Sequence, residues 1–158
     1  MGALPYPTRE AVFSALFTIL ETTPGITTFS RRMLDYSAVA PGLMPILMLW
    51  EQPELTDYRP GRGLPRDYWE AYAIIVFHNP SRVIQGNPNT AVPGATIINP
   101  LVDGVRNALA PDDPTTNSLT LGGLVDWCRV EGRTIIETGD TDANGYGGAI
   151  IPLRMQIQ

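Results

Sequence analysis

At 158 residues the chain is sized for one domain with a real hydrophobic core, and 44% apolar residues place it among ordinary globular proteins. A formal charge of −5 argues against a sequence-independent nucleic-acid binder, which needs a surplus of phosphate-neutralising cations. The single cysteine, Cys128, leaves no internal disulfide, and no apolar run approaches the ~18 residues of a membrane span.

The segment Met1–Pro7 reads as a short arm. Thr8 is placed to cap a helix, and Glu10 suits the positive end of its dipole. Val12, Phe13, Leu16, Phe17, Ile19 and Leu20 recur at helical spacing and make one broad apolar stripe. That stretch is not a cleavable signal, because Arg9, Glu10 and Glu21 flank a short apolar run without a basic leader. Pro24-Gly25 ends the helix.

Thr27–Met33 is β-branched and aromatic and reads as a first strand. Ser37–Pro45 reads as a loop, and Ile46–Trp50 as a buried strand. A polar excursion, Pro53–Arg66, separates it from Asp67–His78, the longest strand. Trp69, Ala71, Ala73, Ile75 and Phe77 fall on one face of that strand, and Tyr72, Ile74 and Val76 on the other. A strand apolar on both faces is central, or meets a partner as well as its own core.

Asn79–Thr96 reads as a second long loop, and Asn99-Pro100 as the cap and first residue of a second helix. Leu101, Val105 and Leu109 share one face of it, and Pro111 ends it. Three apolar runs close the chain, Leu124–Glu131, Arg133–Thr138 and Ala149–Ile157. In the last, Ala149, Ile151, Leu153, Met155 and Ile157 alternate to one side, with Arg154 and Gln156 turned away. The order is helix, three strands, helix, three strands. It predicts a single α+β domain over 1–158: a mostly antiparallel mixed sheet of about six strands with both helices packed on it.

No catalytic constellation emerges. Asp140-Thr-Asp142-Ala-Asn144-Gly145 matches the first half of a calcium loop, but the twelfth position is Ile151 rather than a bidentate glutamate. Those residue types also serve a hairpin connection, which is the expectation adopted. His78 and Cys128 show no spacing that makes a nucleophile and base, and Asp103, Asp126 and Glu131 form no acid/base pair. No enzyme activity, metal or cofactor is expected.

The expectation is instead an assembly surface on the two long loops. Tyr58, Arg59, Arg62 and Arg66 punctuate the first; Arg82, Val83, Ile84 and Val92 lie in the second. All 11 basic residues of the chain are arginine, and Arg and Tyr are enriched at protein interfaces. A stacking and phosphate-binding role for Tyr58 and its neighbouring arginines is the nucleic-acid alternative.

The chain also resembles the tail terminator family of long-tailed bacteriophages, known too as minor tail or tail completion proteins. The likeness runs from the helix Arg9–Thr22 into Phe29-Ser-Arg-Arg-Met33. It continues through the aromatic strand after Gly63-Leu-Pro65 and through Asn99-Pro-Leu-Val-Asp103. It ends with Leu121-Gly-Gly-Leu-Val125, Val130-Glu-Gly132, Thr138-Gly-Asp140 and Ala149-Ile-Ile-Pro152. The resemblance implies a virion subunit at the neck end of the tail, forming a hexameric ring that caps the tail tube. Its partners would be copies of itself, the tube protein and a head–tail connector, with DNA passing through the lumen. A connector or head-completion ring protein is the alternative within the same neck, and a small-molecule-binding or enzymatic α+β domain the alternative outside it.

Overall fold

The computed structural model describes residues 6–57, 60–61, 63, 66–79, 92–142 and 144–157. Their elements are α1 (Arg9–Leu20), β1 (Thr28–Ser30), β2 (Ile46–Asp57), β3 (Arg66–His78), α2 (Ala95–Ala108), β4 (Trp127–Val130), β5 (Ile135–Glu137) and β6 (Tyr146–Ile157). One mixed sheet carries all six strands in the order β1-β2-β3-β6-β4, with β5 also on β6. Only the β1–β2 pair is parallel. The expected α+β architecture, with a mostly antiparallel sheet and two helices, is what the chain adopts.

Both helices cover the same face of the sheet. Val12, Phe13, Leu16 and Leu20 of α1 and Ile98, Leu101, Val102 and Val105 of α2 meet the inward set of β3 and β6 in one core. Thr8 caps α1 as expected, accepting from the Ala11 N–H at 3.2 Å. At the centre Trp69 lies parallel to Phe13 with 6.1 Å between ring centroids, and Arg9 sits over both rings. Full burial of side chains of this size stabilises by about 1.5–3 kcal/mol each, which is why the alternating pattern of β3 fixes its register.

Several boundaries differ from the sequence expectation. The Pro53–Arg66 loop is shorter than expected. Strand β2 continues through Pro53 to Asp57, pairing with β3 as far as Arg66. A bulge between Glu51 and Glu54 absorbs the proline, which an edge position tolerates because its missing N–H is not needed there. Strand β1 is confined to Thr28–Ser30, and β6 begins at Tyr146 rather than Ala149. The helix α2 begins at Ala95, so Asn99 does not cap it and Pro100 lies inside it. Burial of Ile98 among the core residues extends the helix past the proline boundary. The second loop correspondingly loses Ala95 and Thr96 to α2.

β4 and β5 lie end to end along the same side of β6. β4 pairs with Leu153–Gln156 of β6 and β5 with Gly148–Ile150, both antiparallel. Residues 131–134 between them bulge out at Gly132, whose φ of 121° is open to glycine and whose Cβ position lies 3.1 Å from Pro152.

The base of the second excursion is closed. Asn79, almost fully buried, donates through Nδ2 to the Val92 carbonyl at 2.7 Å and through its backbone N–H to the Gly145 carbonyl at 2.8 Å. Two residues past Val92, the Gly94 N–H donates to Asp140 Oδ1 at 2.8 Å. Asn79 and Gly94 therefore both rest against one feature, the β5–β6 connection.

Candidate interface on the uncovered face of the sheet

Among the described residues neither α-helix lies on the opposite face of the sheet. One end is closed by the segment around Leu34 and Val39, which forms a small second core with Met44, Ile46, Met48 and Val76. The rest carries no further element among the described residues and is organised in rows set by strand register. Tyr68, Gln156 and Trp127 form one row; Glu70, Arg154 and Arg129 the next. Trp50, Tyr72 and Pro152 form the third, and Met48, Ile74, Ile150 and Ile135 the fourth.

Trp50, Ile135 and Ile150 are 46%, 47% and 37% exposed, an unusual concentration of large apolar groups on one side. Trp50 packs on Tyr72 and Tyr68 on Trp127, with ring centroids 5.8 and 6.1 Å apart. The polar row is held rigid. Glu131 accepts from Arg154 Nη1 and from Arg129 Nε, each at 2.8 Å. Those bonds, Arg154 first and then Arg129, hold the Glu131 carboxyl below the usual glutamate range. The guanidinium of Arg154 lies 4.5 Å over Tyr68, and that of Arg129 4.1 Å over Trp127. Trp127 Nε1 donates to Gln156, which donates in turn to Asp126.

Two solvent-open concavities lie on this face. One, of about 530 Å³, has Ile74, Val76 and Ile150 as its floor and the 139–142 connection as its rim. The other, of about 390 Å³, lies between Leu55–Asp57, Tyr68, Trp127 and the Arg129–Glu131–Arg154 cluster. Neither gathers a nucleophile with a base. The balanced charge of the polar row does not make the cationic track that a phosphate backbone requires.

The predicted interface residues are placed unevenly. Arg66 opens β3 and Val92 precedes α2, and both are exposed. Tyr58, Arg59, Arg62, Arg82, Val83 and Ile84 lie outside the described residues. His78 and Cys128 are not brought together. Cys128 sits beside Met155, which pairs with Trp69, and His78 lies at the far end of the same strand, roughly 30 Å along. Burial pushes the Cys128 thiol up to about 12, and the Asp112 carboxylate adds to it.

The Asp140–Gly145 loop is a hairpin connection, as expected. Asp140 is occupied by the Gly94 N–H, and Asp142 accepts from the Asn144 and Tyr146 N–H groups. Among the described residues no group of three metal-ligating side chains gathers, and no helix is long and apolar enough to cross a membrane.

The sequence reading missed Trp50, Ile135 and Ile150 as surface groups, because each sits in an apolar run that reads as core. The available signal was the alternation of β6, which turned Arg154 and Gln156 to the side opposite its core set. No family model matches the chain, and no curated protein matches it.

Proposed function

We propose that the chain is a structural assembly subunit, a tail terminator that closes a phage tail tube as a ring and presents a surface for head joining. The observation that carries the assembly reading is the uncovered sheet face. It sets exposed Trp50, Ile135 and Ile150 around a rigid Arg–Glu–aromatic row, in a fold whose other face is already sealed by both helices. Aromatic and arginine side chains are the groups that anchor protein interfaces. The tail-terminator assignment itself rests on the resemblance in sequence. The loop residues on either side of β3, with Arg66 and Val92 at their described ends, add further contact surface.

A chain deletion examined by electron microscopy tests the reading. Overlong tails without heads are the expected result. Headless tails of normal length point to a connector, and normal virions exclude both. A second arm replaces Trp50 and Ile150 with serine. Both side chains are exposed, so the monomer keeps its fold, while tail completion is lost; unchanged completion removes the open face from the interface.

A further inference from the structure

We infer that copies of this chain join edge to edge, the free flank of β5 in one copy against the free flank of β1 in the next, continuing the sheet across the interface. The inference deepens the ring reading and rests on it. Three observations carry it.

First, the two edges are level. Among the described residues β1 pairs only with β2, and β5 only with β6. Each is three residues long, and they share the same ladder rows. Phe29, Leu47, Ile75, Ala149 and Ile136 make one row; Ser30, Met48, Ile74, Ile150 and Ile135 the next.

Second, the polarity is right. β1 runs with β2, and the three further pairings that lead to β5 are all antiparallel. β5 of one copy therefore meets β1 of a copy in the same orientation as an antiparallel pair. Such a contact joins two different patches head to tail, which is the arrangement that closes a ring.

Third, the competing edges are blocked. Beyond β1, the flank of β2 carries Pro53 and a bulge, and the Gln52 carbonyl accepts from Arg9 Nη2 at 2.6 Å. The flank of β4 is taken by Leu119, whose carbonyl accepts from the Cys128 N–H at 2.8 Å. β5 by contrast exposes Ile136 at 43% on the helix side, where Phe29 of the neighbour lies in the matching row.

The level rows set the register: Ser30 lies opposite Ile135 of the neighbour and Phe29 opposite Ile136, so side chains of one face meet across the join.

The test is a Ser30→Cys, Ile135→Cys double variant of the full chain, oxidised and run on a non-reducing gel. Within one copy these positions are four strand spacings apart, ~19 Å, too far for a disulfide. The native Cys128 is buried. A ladder of covalent oligomers from the double variant, absent from either single variant, is the expected result. Rings seen in micrographs without a ladder overturn the edge join and leave the ring reading standing. A chain that stays monomeric, alone and with tail tubes, overturns both. As a second measurement, Ile136→Lys, at an exposed position of β5, weakens self-association several-fold. Unchanged association in that variant overturns the edge join.

Discussion

Replacing Asp140 separates two readings of the β5–β6 connection. As an ion ligand it would be one of several oxygens around a calcium; in the structure its Oδ1 accepts the Gly94 N–H at the start of α2. Gly94 is buried, so Asp140→Ala leaves an amide without a partner as well as removing the bond. Loss of a capping acceptor costs about 0.5–2 kcal/mol, and stranding a buried donor pushes towards the upper end. We expect about 2 kcal/mol, or roughly 4–8 °C in melting temperature for a chain of this size. Asp140→Asn keeps an acceptor in place. It loses only the attraction between a carboxylate and the helix dipole, about 0.3–1 kcal/mol. The assay is urea and thermal unfolding of the three proteins, each with and without calcium. A bound ion at a hundred times its dissociation constant would add about 2.7 kcal/mol to the wild type. The capping account fails if calcium stabilises the wild type but not Asp140→Ala, or if the Asn variant loses as much as the Ala variant.

Asn79→Ala breaks the side-chain bond to the Val92 carbonyl in a buried setting and should cost about 1–3 kcal/mol, read as a lower urea midpoint with little change in slope. Gly94→Ala should be worse than Asp140→Ala, since a Cβ there would sit 1.8 Å from the Thr138 carbonyl oxygen; unfolding at an unchanged midpoint would contradict the packing. Cys128 should resist iodoacetamide in the native protein and react once unfolded, because the thiolate is disfavoured by burial; rapid native labelling, followed by mass spectrometry, would contradict it. Glu131 has a folded-state pKa held below its unfolded value, so its ion pairs stabilise the fold above the ordinary glutamate pKa and are lost as pH falls through the depressed value. Glu131→Gln should therefore differ in stability from the wild type at about pH 7 and converge with it only as pH falls through the depressed value.

The elements that sequence described well are those whose pattern and burial agree. β3 and β6 alternate cleanly because each has one face against the helices, and the Thr8 cap of α1 is a local device with a local signal. The misplaced boundaries share a cause in long-range contacts. Pro100 is a strong local stop, but Ile98 is needed in the core and Asp140 supplies a distant acceptor at Gly94, so the helix starts a turn early. Pro53 likewise signals a loop, but an edge strand with a bulge accommodates it. For the uncovered face, the residues were readable but their exposure was not. Trp50 and Ile150 lie in runs indistinguishable from core until the sheet shows that both helices occupy the other side. The open edges were equally hidden, since they depend on which strands end as neighbours.

The bonds of Asn79, Val92 and Gly94 make one clasp out of three segments that are distant in sequence. Asn79 follows β3, Val92 and Gly94 lead into α2, and Asp140 and Gly145 belong to the β5–β6 connection, so the end of β3 and the start of α2 hold each other in place through that connection. A change that loosens any one of the three should therefore be felt at the other two.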